Sequence, residues 1–228
     1  MMLGMVPMRA ILFDFDHTLA HLGNQVDWDA ARAEMIEIYE HAGFSRSTLE
    51  SMPGAITLFS SISQSTQLSP ADLAEAQAAA SRVLEHYEEV GAAGVQLIPK
   101  ATIAVSALLR AGVPLGIASS NSARVVRALL EEAGMSGAFG AIVGREDVNE
   151  PKPSPEALLL CCERMSVLPT EGAYIGDMHT DIAAALAAGL MPIGIVGGED
   201  TRETLVEAGA HLVLDGLDQL MSAGILSS

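Results

Sequence analysis

The chain has 228 residues, with 12 Lys and Arg against 29 Asp and Glu, a formal charge of −17, half of its residues hydrophobic and 4% aromatic. That composition can bury a core and excludes a disordered acidic tail, and the length suits one domain with an insertion or two small domains. The charge argues against nucleic acid and anionic membranes as partners, because affinity for a phosphate backbone comes from clustered Lys and Arg. It leaves room for a small anionic substrate held by a few placed groups.

From the N-terminus, Met1 to Pro7 is apolar but short, lacks a basic region and leads through Arg9 into a strand, so no signal peptide is read. Met1, Met2, Met5 and Met8 leave the start codon open. Short apolar runs predict strands at Ala10–Phe15, Pro114–Ser119, Ala141–Val143, Ala173–Gly176, Met191–Val196 and His211–Leu214. Helical patterns lie between them near Thr102–Ala111, Ala123–Ala133, Pro155–Met165, Asp181–Ala188 and Thr201–Ala208. Gly112, Gly134 and Gly189 fit positive-φ positions after helices, Ser154-Pro155 fits a helix start, and Asp200 with Glu203 fits a capping box. Strands alternating with helices imply an α/β fold, a doubly wound parallel sheet covered on both faces.

One stretch breaks the alternation. From about residue 21 to 95 only helical patterns occur, near Asp27–Ala42, Ala55–Ile62 and Pro70–Val90, the last with Leu73, Ala76, Ala80, Leu84 and Tyr87 on one face below a Ser69-Pro70 cap. The expected organisation is a core of residues 1–20 and 96–228 with a small α-helical domain, 21–95, inserted after the first strand. The uncharged stretch Ile182 to Gly198 is too short for a spanning helix of ~20 residues and is broken by Gly189, Pro192 and Gly194. Cys161 and Cys162 are adjacent, cannot staple distant segments and do not have CxxC spacing, so they read as ordinary thiols of a reducing compartment. A cytoplasmic location is expected.

The first strand ends in Asp14-Phe15-Asp16-His17-Thr18. Alone, such a pair of carboxylates is also what a solvated turn contains. The second strand ends in Ser119-Ser120-Asn121 ahead of a helix, offering a hydroxyl and backbone N–H groups to an anion, or an ordinary helix cap. Lys152 stands between prolines in Glu150-Pro151-Lys152-Pro153, and the fourth strand ends in Gly176-Asp177-Met178-His179-Thr180-Asp181. In a sheet of order 3-2-1-4-5 the first and fourth strands are neighbours at the switch point, where ligands bind beyond the carboxyl ends. That order would gather Asp14, Asp16, Asp177 and Asp181, with Ser119 and Lys152 beside them. Such a carboxylate cluster needs a cation, and hard oxygen donors suit Mg²⁺. With Asp16 counted as protonated, three carboxylates balance Mg²⁺ and Lys152, and a phosphate can enter.

The motifs resemble those of the haloacid dehalogenase superfamily of phosphohydrolases: DxDxT at Asp14 to Thr18, then Ser119, Lys152, and Gly176-Asp177 with Asp181, followed by Ala187-Ala188-Gly189. The helical insert sits where that superfamily's cap of the first type sits. With Leu97-Ile98-Pro99 and Arg202-Glu203 to Gly209-Ala210, the chain is most similar to its phosphoglycolate phosphatase-like branch. The resemblance implies Asp14 as a nucleophile forming an aspartyl-phosphate, and as a metal ligand. Asp16 would be the acid and base, giving its backbone carbonyl to Mg²⁺. Ser119, the Ser120 backbone and Lys152 would hold the phosphoryl oxygens, Asp177 would complete the metal site, and Asp181 would act there directly or through water. The implied substrate is a small phosphorylated metabolite, 2-phosphoglycolate or a sugar phosphate.

His17 departs from the usual glycine and Met178 from a common serine. Non-catalytic roles are expected for His17 and His179. An Asp at position 16 favours phosphate-ester transfer over dehalogenation. A phosphosugar mutase is the alternative on the same fold, but the His that the superfamily's mutases carry about twelve residues after the nucleophile is Val26 here. A binding protein without turnover is the alternative of another class. No sequence feature reads out the oligomeric state.

Overall fold

A computed structural model describes residues 8–224, so the expectation for Met1 to Pro7 lies outside the described residues. The apolar runs form strands β1 (Ala10–Phe13), β2 (Leu115–Ala118), β3 (Ala141–Val143), β4 (Gly172–Gly176), β5 (Met191–Ile195) and β6 (Leu212–Leu214). They make one parallel sheet in the order β3-β2-β1-β4-β5-β6. The expected order is therefore observed, with β6 added at the edge. Phe13 stands opposite Ile117 on one side and Ile175 on the other, so the carboxyl ends of the three central strands are level.

Because side chains alternate along a strand, β1 feeds two cores. Ile11 and Phe13 pack with Leu108 of α5 (Pro99–Arg110) and with Val126 and Leu129 of α6 (Ala123–Glu132). Leu12 faces the opposite side, with Leu158 and Cys161 of α7 (Glu156–Met165) and Ala184 and Ala185 of α8 (His179–Ala188). Both cysteines are free and buried, and burial pushes the Cys161 thiol up to about 12 and the Cys162 thiol to about 11.

Between β1 and α5 the chain is helical: α1 (Trp28–His41), α2 (Arg46–Glu50), α3 (Ala55–Ser63) and α4 (Pro70–Gly91). These helices enclose a third core, which includes Met35, Tyr39, Leu58 and Leu84. The two connections to the sheet run side by side: Ala20 pairs antiparallel with Leu97, and the Ile98 amide donates to the Leu19 carbonyl at 2.8 Å. Trp28 and Tyr87 touch both this core and that of the sheet.

Several boundaries differ from expectation. β1 stops at Phe13, because the chain turns at Asp14 once its amide has bonded the Ile175 carbonyl. α5 starts three residues early, at Pro99, a residue preorganised for a first turn. α7 begins at Glu156, with the Ser154 hydroxyl accepting from the Glu156 amide at 3.4 Å. The cap of α9 (Arg202–Glu207) is Thr201, which accepts from the Thr204 amide, and Asp200 is occupied elsewhere. The short α2 and a 3-10 turn at Leu217–Ser222, which packs on α5, were not expected. Gly112, Gly134 and Gly189 all have positive φ, as read from the sequence. No helix among the described residues is long and apolar enough to cross a membrane.

Candidate active site

The level strand ends bring the sequence-predicted residues to one edge of the sheet. Asp14 follows β1, Asp177 follows β4 and Asp181 lies in the first turn of α8; one carboxylate oxygen from each lies within 4.8 Å of the others. All three are buried. Lys152 reaches in from the loop before α7, donating from Nζ to Asp14 Oδ1 at 2.8 Å and to Asp181 Oδ1 at 2.6 Å. Gly176 and Gly198 make room for this cluster: a Cβ on Gly176 would overlap the Asp181 carboxylate, and one on Gly198 that of Asp177.

Burial and mutual repulsion leave their mark on the protons. Burial, only partly opposed by Lys152, raises the Asp14 carboxyl to about 6. Burial together with Asp14 and Asp181 raises Asp177 to about 8. Burial alone would lower the Lys152 ammonium, but Asp14 and Asp181 hold it well above its ordinary range. Three hard oxygen donors that resist sharing negative charge fit a divalent cation, and Asp14, Asp177 and Asp181 are the residues that would hold it.

Asp16 is set apart from this cluster. Both its carboxylate oxygens accept from the Gly23 amide at 3.0 Å, and Oδ1 also accepts from the His17 amide at 3.0 Å. Its only expected part in metal binding is the backbone carbonyl. His17 adopts a left-handed conformation, with φ of 54°, where glycine is the easier residue. Its ring packs on His21 and lies 3.5 Å from Glu199. His179 donates its amide to Asp200 Oδ2, which also lies 2.7 Å from its ring Nδ1. Met178 contributes its backbone amide, which donates to Asp181 Oδ2 at 3.0 Å.

The Ser119-Ser120-Asn121 turn closes the other side. The Ser119 hydroxyl donates to Asn121 Oδ1 at 3.0 Å, and Ser122 caps α6. Two groups that the sequence reading missed hold this turn and the lysine. The buried Tyr174 hydroxyl donates to the Ala118 carbonyl at 2.7 Å and accepts from Lys152 Nζ at 3.0 Å. Glu88 of α4, fully buried, accepts from Asn121 Nδ2 at 3.1 Å and from the Ser122 amide at 3.0 Å, and pairs with Arg145.

Above these groups lies a cavity of about 780 Å³ between the sheet edge and the helical insert. Asp14, Asp16, Ser119, Ser120, Lys152 and Asp177 line its floor. On the insert side its wall includes Asn24, Trp28, Gly54 to Thr57, Ser60, Ser61 and Gln64, and His17, His179 and Glu199 line it from the core side. Val26, the position tied to the mutase alternative, is buried in the apolar core instead.

A doubly wound sheet whose switch point carries this Asp, Ser, Lys and Asp set defines a class of hydrolase. A family model described as haloacid dehalogenase-like hydrolase matches residues 11–195, and the chain belongs to that family. The phosphoglycolate phosphatase of Escherichia coli (strain K12) is 32% identical over 138 residues, 60% of this chain and 55% of that one. The chain thus spans about half the length of the curated relatives it matches. A haloacid dehalogenase-like hydrolase from Bacteroides fragilis aligns with a TM-score of 0.69 at 27% identity, over 93% of this chain and 99% of its own. CbbY from Rhodobacter sphaeroides, solved in complex with phosphate, aligns at 0.66 and 25% identity over 96% and 99%.

Proposed function

We propose that the protein is a Mg²⁺-dependent phosphatase that hydrolyses a small organic phosphate monoester through an aspartyl-phosphate. The observation that carries this reading is the Lys152 bridge between Asp14 and Asp181, which lies beside Asp177 and opens on a cavity that also contains Asp16. Lys152 holds Asp14 Oδ1 and leaves the second carboxylate oxygen to attack phosphorus. As the ester P–O bond breaks, Asp16 gives its proton to the leaving oxygen. It then takes one from the water that hydrolyses the aspartyl-phosphate. Ser119, the Ser120 backbone and Lys152 hold the phosphoryl oxygens through both steps. Bound at Asp14, Asp177, Asp181 and the Asp16 carbonyl, Mg²⁺ supplies the positive charge that lets a phosphate approach carboxylates.

The Gly23 amide that fixes Asp16 belongs to the start of the insert, so residues 21–95 act as a cap that helps to set the acid. The cap wall offers hydroxyls, amides and the N-terminus of α3, which has no side-chain cap, and no Lys or Arg among the described residues that line it. Such a wall suits the organic part of 2-phosphoglycolate or of a sugar monophosphate.

Phosphate release from p-nitrophenyl phosphate tests the reading. Turnover should require Mg²⁺, stop on chelation and return when the metal is restored. Asp14→Asn should abolish it. No turnover in the wild type, with Asp14→Asn indistinguishable, would sink the enzyme reading. Turnover that survives metal removal would sink the metal's part in it.

A further inference from the structure

Both residues proposed to hold phosphate from the β2 turn are anchored on a single carboxylate that the helical insert supplies. Ser119 Oγ donates to Asn121 Oδ1 at 3.0 Å, and Asn121 Nδ2 donates to Glu88 Oε1 at 3.1 Å. On the other branch, Arg145 Nη1 donates to the Ser120 carbonyl at 2.6 Å and to Glu88 Oε1 at 2.9 Å. Arg145 Nη2 adds a bond to Glu88 Oε2 at 3.1 Å, which makes the pair bidentate, and the Ser122 amide donates to the same oxygen at 3.0 Å. The hydrogen bonds form a closed ring around the turn. Its chain order is scattered: Glu88 is on α4, Ser119 to Ser122 follow β2, and Arg145 follows β3.

Burial makes the arrangement stiff. The Glu88 side chain is fully buried and that of Arg145 is 3% exposed, so neither has water as an alternative partner. A planar guanidinium against a carboxylate fixes orientation as well as distance. Arg145 also bonds Ser81 through Nε at 3.3 Å and lies over the Phe59 ring, so α3 and α4 of the insert both meet it. None of these contacts reaches the Asp14, Asp177 and Asp181 cluster, which β1, β4 and α8 hold without help from the insert.

We propose that Glu88 and Arg145 are positioning residues for the phosphate-holding turn, so that docking of α4 and the setting of that turn are one event, while the carboxylate cluster of Asp14, Asp177 and Asp181 forms independently of Glu88 and Arg145. The proposal rests on the reading of Ser119 and Ser120 as phosphate ligands. Glu88→Gln keeps the shape but places an amide NH₂ against groups that are all donors, which breaks the ring on at least one side.

The test is calorimetric titration of folded protein with Mg²⁺ alone and then with inorganic phosphate in saturating Mg²⁺. A dissociation constant read on folded protein does not depend on how much stability a variant has lost. For Glu88→Gln, phosphate affinity should fall at least tenfold while Mg²⁺ affinity stays within twofold of wild type. Arg145→Lys, which keeps the charge but loses the second arm of the fork, should fall between the two, and it serves where Glu88→Gln does not fold. Wild-type phosphate affinity in a folded variant would overturn the proposal and leave the phosphatase reading standing. Equal losses for metal and phosphate would overturn it too. A wild type that titrates with phosphate but does not turn over p-nitrophenyl phosphate would end the phosphatase reading while this proposal is still decided. A wild type that binds no phosphate overturns both.

Discussion

Gly176→Ala tests the carboxylate cluster without altering any group that carries chemistry. A Cβ at this position falls on the Asp181 carboxylate and its own Cβ, so Asp181 must leave its place. Two interactions go with it. Asp181 Oδ1 holds Lys152 at 2.6 Å, a charge-assisted bond of about 1.5–3 kcal/mol. Asp181 Oδ2 accepts from the Met178 amide at 3.0 Å, where α8 begins, a cap contribution of about 0.5–2 kcal/mol. The expected loss is therefore roughly 2–5 kcal/mol. For a chain of this size that lowers the melting temperature by roughly 4–20 °C.

Urea unfolding with a fixed m-value reads the same quantity. Gly137→Ala is the control: nothing lies within 4 Å of its added Cβ, so it should be neutral or stabilise slightly. Because Asp181 is one of the three clustered carboxylates, Gly176→Ala should also weaken Mg²⁺ binding at least tenfold. A Gly176→Ala protein as stable as Gly137→Ala, with wild-type metal affinity, would refute the account of the cluster.

With metal chelated, Asp177 at about 8 and Asp14 at about 6 keep protons that the unfolded chain has lost above about 3.8, and the stability this gives disappears as pH rises through those values. Chelated protein should melt at a lower temperature at about pH 8.5 than at pH 6.5, Asp177→Asn should flatten the trend, and Mg²⁺ should restore most at the alkaline end; a flat wild-type profile contradicts the raised carboxyls. Tyr174→Phe removes an acceptor from buried Lys152 and a donor from the Ala118 carbonyl, and should cost about 1–3 kcal/mol in urea unfolding; an unchanged midpoint would mean that the hydroxyl holds neither. Cys161 and Cys162 should resist an aromatic disulfide reagent in the native protein and both react on unfolding, since burial raises each thiol; two fast native thiols would contradict that burial.

Most of the site legible in the sequence was attached to strand ends, and Lys152 stood out instead by its place between two prolines. An apolar run stopping at Asp14 or at Gly176-Asp177 marks both a strand and the edge to which its last residues belong, and alternation with helices orders the strands. Tyr174 gave no such signal, because an aromatic inside Ala-Tyr-Ile-Gly reads as core. Only its place two residues before Gly176, on the same face of β4, puts its hydroxyl beneath the lysine.

Glu88 was hidden by its neighbours: Glu85, His86 and Glu89 look like a solvated helix face. The spacing of Ala76, Ala80 and Leu84 runs on to Glu88, which is where the buried stripe goes. A carboxylate at the end of an apolar stripe implies a buried cation, but nothing local identifies it as Arg145. The five-residue α2 is too short for periodicity. It ends where Arg32 from α1 donates to the Leu49, Glu50 and Met52 carbonyls, a tertiary contact that supplies the stop the sequence lacks.

The pairing of Ala20 with Leu97 bears on how the chain reaches its fold. β1 is made first and ends at the centre of the sheet, and both its neighbours, β2 and β4, arrive much later. Joining β1 to β2 closes a loop that contains the whole segment from Ala20 to Leu97, at an entropy cost of roughly 4 kcal/mol if that segment is still unstructured. The segment has a core of its own around Met35, Tyr39, Leu58 and Leu84, and once formed it holds its two stems together. An insert that folds first turns a distant strand pairing into a nearly local one, so the part of the chain that interrupts the sheet also shortens the path to building it.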